Sequence, residues 1–188
     1  LRQHARPAMW EAAALALYTG QRLSDVLPMR WSDLENGHIA VTQNKTRKKL
    51  WIPVHRELGV LLQSLRERMK EAHADHVVDL STLRLPILRS SRGEAWTVDG
   101  FKASWSAQLN QPGFARLRER RLVFHGLRKS AVVFLLEAGC TDAETAAITG
   151  QTRDMVEHYA RQVNQRRLAA TAILKWEAAD RSRTMPST

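Results

Sequence analysis

"ENGHIAVTQNKTRKKLWIPV", residues 35–54, decides the fold class of this chain. Asn36-Gly37 is a tight-turn dipeptide, and Ile39 and Val41 then alternate along the chain, the period-2 pattern of a half-buried strand. "QNKTRKK" is a polar, basic turn and "LWIPV" a second strand, so residues 38–54 read as a β-hairpin with Lys45 at or near its tip. The segments on either side have helical spacing. Upstream, Pro7 suits a first helical position, the stripe Trp10, Ala13, Ala14, Leu17 and Tyr18 follows, and Gly20 closes the helix. "QRLSDVLPM" is a short second helix stopped by Pro28. Downstream, Leu58, Leu61, Leu62, Leu65 and Met69 mark a long amphipathic helix with arginines on its other face. Residues 73–97 are irregular, with a short strand at "PILRS". Phe101, Trp105 and Leu109 place a helix over 99–110, ended by Pro112-Gly113. Leu127, Ala131, Phe134, Leu135 and Ala138 place another over 126–138. "TDAE", 141–144, is a capping box opening a helix that Gly150 ends. Thr152 caps a further helix carrying Met155, Val156, Tyr159 and Val163, and a last helical stretch runs from about 165 to 179. The expected class is mainly α with a small antiparallel β-sheet, an α+β fold.

At 188 residues the chain fits one domain with a real core, and 44% hydrophobic and 26% charged residues are ordinary for a globular protein. The charge balance is not ordinary. Twenty-nine Lys and Arg against 19 Asp and Glu leave +10, with a pI near 10.6, the signature of a partner of nucleic acid. Cys140 is the one cysteine, so an internal disulfide is excluded, and it reads as a packing residue beside a helix end. No run of 18 apolar residues exists, so no membrane span is expected, and no signal-peptide pattern is visible. The start at Leu1 rather than Met points to a fragment.

Several ionisable residues fall near element ends. Arg22 opens a helix with Asp25 one turn on, Lys45 sits on the hairpin turn, and His125 and Arg128 share one helical face. Gln151 lies in the bend before the Tyr159 helix. Two arginines, a lysine, a histidine and a tyrosine suffice to attack a phosphodiester without a metal. Negative charge builds on the non-bridging oxygens in the transition state, and the planar guanidinium fork matches those oxygens bidentately. A tyrosine hydroxyl, with a pKa of about 10, is a weak nucleophile until its proton is removed, and a neighbouring His can assist that transfer. The leaving sugar oxygen needs a proton, which a Lys on a hairpin turn can deliver. A covalent phosphotyrosine keeps the bond energy, so rejoining needs no ATP.

"TGQRLSDVLPMRWSDL" (19–34) resembles the first conserved box of the tyrosine recombinases, the phage integrase family. "HGLRKS" (125–130) resembles its His-x-x-Arg box, and "ITGQTRDMVEHYAR" (148–161) the final box that ends in the nucleophilic tyrosine. The resemblance covers roughly residues 7–165. It implies the tyrosine recombinase catalytic-domain fold, shared with DNA breaking-rejoining enzymes. It further implies that Arg22 and Arg128 clamp the scissile phosphate, Lys45 is the general acid, Asp25 supports the first arginine, and Tyr159 forms a 3′-phosphotyrosine with His125 beside it. No metal or cofactor is implied. The implied partner is double-stranded DNA, with a homo-tetramer on DNA and a monomer for the isolated domain. The implied setting is the bacterial cytoplasm, at the nucleoid or as a phage-encoded protein. The expected organisation is a catalytic domain over 1–163 and a C-terminal helix or tail over 164–188, with the family's N-terminal core-binding domain absent from this chain.

The family places a His, sometimes a Trp, where this chain has Gln151. Gln donates a hydrogen bond to a phosphate oxygen but shuttles no proton. Two competing functions remain: a DNA-binding protein that keeps the fold without the chemistry, and a type IB topoisomerase-like enzyme. Each site residue also has a plain structural role: Arg22 as a solvated helix start, Asp25 as a helix-end carboxylate, His125 as a helix cap, Tyr159 as a core aromatic. Lys48 and Lys49 lie close to Lys45. His158 is a surface residue or DNA contact, and His73 with His76 is a weak metal candidate. Arg47, Lys48, Lys49, Arg116, Arg118, Arg120 and Arg121 are solvated charges or phosphate contacts. Leu168, Ile173, Leu174 and Trp176 pack either on their own domain or, as the family implies, on a neighbouring protomer.

Overall fold

The structure is a computed structural model that describes residues 5–72, 84–120 and 123–183. His73, His76 and Arg121 lie outside the described residues. Helix α1 (Pro7–Thr19) begins with proline in its first turn, where the missing N–H costs nothing, and ends at Gly20 with φ 65°. It is apolar nearly all round, burying Met9, Ala12, Ala13, Leu15 and Ala16, which makes it the central helix of the fold. The short α2 (Leu23–Val26) follows at once.

The sheet has three strands where two were expected. β1 (Leu34–Glu35) pairs antiparallel with β2 (His38–Thr42), which pairs antiparallel with β3 (Lys49–Pro53). Asn36 and Gly37, at φ 48° and 74°, make the tight turn between β1 and β2, so the Asn-Gly signal marks a hairpin of its own. A two-residue strand is too short to show alternation, which is why it was not legible. In the long hairpin Ile39 faces Ile52 and Val41 faces Leu50. Ile39, Val41 and Ile52 turn into the core, while Trp51 lies outside, stacked on His38 at 5.4 Å.

α3 (Arg56–Ala72) lays Leu58, Leu62 and Leu65 on the same core. The strand expected at "PILRS" is not formed. That segment makes single bridges, Arg30 to Pro86 and Arg89 to Ala95, and contributes Ile87 and Leu88 to the core. Its backbone groups pair with the loop after α2 (Ile87 N–H to Met29 O, 2.8 Å) rather than with a strand, so no ladder propagates.

α4 (Val98–Leu109) starts at Thr97, whose hydroxyl accepts from the Gly100 N–H, and buries Phe101. A 3₁₀ turn at Pro112–Phe114 and a short α5 (Ala115–Glu119) then carry the basic residues Arg116 and Arg118 on an exposed surface. α6 (Gly126–Glu137) packs on α1, and α7 (Asp142–Thr149) has the expected capping box: Glu144 N–H donates to Thr141 Oγ1, and Thr141 N–H donates to Glu144 Oε2 at 2.6 Å.

α8 (Arg153–Arg183) is one unbroken helix where two stretches were expected. No Gly or Pro interrupts 153–183, and Ala, Leu, Arg and Lys favour continuation. The expected boundary at residue 163 falls inside it. Its first turns bury Val156 and Ala160 against Val132 and Leu136 of α6, a second small core. Further along, Leu168, Ile173, Leu174 and Trp176 are 49–65% exposed. No helix among the described residues is long and apolar enough to cross a membrane.

Candidate active site

The site lies where the turn after α1, the start of α6, the bend between α7 and α8, and the β2–β3 turn meet. Arg22 is the N-cap of α2, and its Nη1 lies 3.6 Å from Asp25 Oδ2 one turn on. That is an ion pair too long to count as a hydrogen bond. The buried Asp25 carboxylate also accepts the Asn44 N–H through Oδ1 at 2.8 Å, and Asn44 Nδ2 donates to Ser24 O at 2.6 Å. Asp25 therefore joins the arginine to the turn that carries Lys45.

Arg128 is 3% exposed, and its Nη1 donates to Gly20 O at 2.7 Å. Burial, then the neighbouring Arg22 charge, lowers its pKa to about 10, with Asp25 and Tyr159 acting the other way. It is still a cation at neutral pH. His125 is exposed at the head of α6, and desolvation followed by the charges of Arg128, Lys129 and Arg22 pushes its pKa below the ordinary 6.5. The imidazole is thus neutral at pH 7, free to accept a proton. Tyr159 is half-buried at the edge of the α6–α8 core, its ring edge-on to exposed His158 at 5.5 Å. Its packing and its influence on Arg128 coexist, so the core-aromatic role and the site role are not exclusive.

The buried polar atoms complete this description. Arg22 Nη1, Asp25 Oδ2, Arg128 Nη2 and Gln151 Oε1 are buried and make no hydrogen bond among the described residues. Buried polar groups are nearly always paired, and unpaired ones are costly. The Arg22 guanidinium lies close enough to lower the proton affinity of Arg128, and an anion held between the two unused N–H groups would relieve both penalties.

The charges of Arg22, Asp25 and Tyr159 act on Arg128, those of Arg128 and Arg22 act on His125, and Arg22 pairs with Asp25. Lys45 does not join them directly: it stands exposed in the turn after β2, held only through its neighbours Asn44 and Thr46. Its neighbour Lys48 donates from Nζ to Gly150 O at 3.2 Å. Gln151 is 8% exposed beside that carbonyl. Arg22 and His125 also rim an apolar cleft of about 570 Å³ lined by Phe101, Trp105 and Phe124, a poor setting for a phosphate. Among the described residues no group of three or more His, Cys, Asp or Glu is placed to hold a metal ion.

Two site-shaping residues escaped the sequence reading, Gln21 and Gln43, both 1% exposed or less. A signal existed: Gln43 continues the inward alternation of Ile39 and Val41, where a polar residue needs a buried partner.

A family model described as the phage integrase family matches residues 5–166. The integrase of Escherichia phage lambda is 35% identical over 111 residues, 57% of this chain and 31% of that protein. The chain spans about a third of the length of the curated relatives it matches. Among solved structures, XerH site-specific recombinase in a post-cleavage complex with a palindromic difH substrate aligns with a TM-score of 0.63 at 20% identity. That match covers 90% of this chain and 46% of the other. A lambda integrase tetramer bound to a Holliday junction aligns with a TM-score of 0.57 at 23% identity, over 81% and 42% of the two chains. At these identities the likeness establishes the fold.

Proposed function

The chain belongs to the phage integrase family, and on that premise we propose that it is the catalytic part of a site-specific DNA recombinase. The observation that carries the reading is the pair of arginines, half-buried Arg22 and buried Arg128, each with a buried N–H that has no partner among the described residues, Arg128 also lying within the electrostatic reach of Tyr159. In the reaction the Tyr159 hydroxyl oxygen bonds to the scissile phosphorus as the P–O5′ bond breaks. The products are a 3′-phosphotyrosine and a free 5′-hydroxyl. Arg22 and Arg128 hold the non-bridging oxygens as charge builds on them. Neutral His125 takes up the phenolic proton, and Lys45, exposed on the β2–β3 turn, supplies the proton to the leaving oxygen. Gln151 donates a hydrogen bond to a phosphate oxygen. Rejoining runs the same steps in reverse with a 5′-hydroxyl as nucleophile, so neither metal nor ATP enters.

The net charge of +10 supports duplex DNA as partner, with affinity that falls steeply with salt. The reading puts the protein with DNA in a bacterial cytoplasm. The C-terminal part of α8, with Leu168, Ile173, Leu174 and Trp176 exposed, supports docking of residues 164–188 on a neighbouring copy in a DNA-bound tetramer. Truncation after about residue 163 should then weaken self-association on DNA and leave the fold intact.

The test is a nicked suicide duplex, drawn from a randomised pool, whose cleaved fragment diffuses away and traps the adduct. The parent chain should form a protein–DNA adduct stable in denaturant, and Tyr159→Phe should form none. An adduct that survives Tyr159→Phe, or none from either, would remove this reading; the second result would leave a DNA-binding protein, for which Gln151 is the one residue that speaks.

A further inference from the structure

We infer that Gln43 is a positioning residue that locks the turn carrying Lys45 to both the Arg22 turn and the Gln151 bend. Gln43 is fully buried. Its Nε2 donates to Gln21 Oε1 at 2.7 Å and to Thr149 O at 3.0 Å, and its Oε1 accepts from Thr46 Oγ1 at 2.6 Å. Gln21 Nε2 donates in turn to Thr19 O at 2.9 Å and Ile148 O at 3.1 Å. Both amide N–H₂ groups are thereby saturated. The orientation of Gln43 is also determined, because a flipped amide would set its oxygen against Gln21 Oε1 and Thr149 O, two acceptors.

The backbone follows the same plan. Gln43 N–H donates to Lys48 O and Arg47 N–H to Gln43 O, both at 2.9 Å, closing a turn whose Arg47 sits at φ 57°, a region ordinary side chains rarely adopt. Gly150 passes so close that a Cβ there would lie 2.5 Å from Gln43 Nε2. Gln43 thus touches the residue before Arg22, the residues before Gln151 and the residue after Lys45.

The contrast with the site itself assigns the role. Arg22, Asp25, Arg128 and Gln151 keep unpaired buried atoms, whereas Gln21 and Gln43 have no donor left for a substrate. They act on geometry. The catalytic part of this inference rests on the recombinase reading; the lock itself does not.

Two arms test it, using Gln43→Met, which keeps length and loses every side-chain hydrogen bond, and Thr46→Val, which removes only the turn-side bond from an exposed position. In the first arm, amide exchange at Asn44 and Arg47 should quicken about tenfold in both variants, and in Thr46→Val Leu15 and Ala16 in α1 should exchange as before. Unchanged exchange at Asn44 and Arg47 would overturn the lock. The second arm compares an oxygen duplex, taken from the randomised pool by covalent capture, with the same duplex carrying sulfur at the bridging 5′ position. A thiol has a pKa of about 8.5 where a hydroxyl's is nearer that of water, about 15.7, so the sulfur leaves without a proton donor. Gln43→Met should cleave the oxygen duplex about 10²-fold more slowly and the sulfur duplex within about threefold of the parent, because only the first needs Lys45 in place. Equal slowing on both would overturn the link to Lys45. If the parent cleaves neither duplex, the recombinase reading fails, and the exchange arm still decides whether Gln43 is the lock.

Discussion

Replacing Gly150 by alanine should be among the most damaging single-methyl changes in this protein. Gly150 sits at φ 69°, and an added Cβ would lie 2.5 Å from Gln43 Nε2, 2.8 Å from its Cδ and 2.9 Å from its Oε1. Gln43 is enclosed, so it can yield only by giving up its bonds to Gln21 Oε1 and Thr149 O. Gly37 offers the matching control, with φ 74° and nothing within 4 Å of its added Cβ. Both substitutions meet the left-handed backbone cost of roughly 1–2 kcal/mol, offset by about 0.4–1 kcal/mol from the stiffer unfolded chain, a net loss of about 1 kcal/mol. Gly150→Ala adds two buried acceptors stranded at about 1–3 kcal/mol each, for a total near 4 kcal/mol, allowing partial relaxation. With a urea slope of about 2 kcal/mol per M, the unfolding midpoint should fall by about 2 M for Gly150→Ala and about 0.5 M for Gly37→Ala. Equal midpoints for the two variants would refute the reasoning, since the Gln43 bonds would then carry no net free energy.

His125 should make stability depend on pH. Its pKa in the fold lies below the ordinary 6.5, so the unfolded chain takes up the proton first. Stability is full above that value, declines as the pH drops below 6.5, and levels off once the folded pKa is passed; His125→Asn should flatten this part of a series of urea midpoints. Gln151→His should raise the single-turnover cleavage rate, by about tenfold if proton transfer at that position contributes; unchanged rates would count against any chemical role there. Thr141→Ala removes the cap of α7 and should lower the Tm by about 2–4 °C in calorimetry, while the Glu144 carboxyl, held below the usual range first by the backbone N–H of Thr141 and then by its hydroxyl, should rise only part of the way by NMR titration because the backbone donor remains.

The parts of the fold legible in the sequence were those written as local patterns. Ile39 and Val41 alternate, Thr141 and Glu144 stand three apart, Pro7 and Gly20 bracket a helix, and each of these appears in the structure as expected. β1 is not legible because two residues hold no period, and the stretch from about 165 to 179 reads as separate from the Tyr159 helix although the backbone of α8 continues through both. The "PILRS" segment has strand-like composition, and only its location against the loop at Met29 prevents it from joining the sheet.

The candidate site divides along the same line. Residue types and order along the chain, from Arg22 and Lys45 to His125, Arg128 and Tyr159, are properties of the sequence, and they resemble the boxes of the family to which the chain belongs. Tertiary structure decided which of them share one electrostatic environment. Arg128 is buried against Gly20, 108 positions away, and is brought to a pKa of about 10 by desolvation and by Arg22. His125 is held below its ordinary pKa by desolvation and then by the charges of Arg128, Lys129 and Arg22. Lys45 is left outside on its turn, and its place is governed by Gln43 and Gln21, which no motif singles out. Local pattern is encoded by neighbours along the chain, so it can be read there. Charge coupling and hydrogen-bond saturation depend on distance through space and on the exclusion of water, and both come into being only when the helices and the hairpin close on one another.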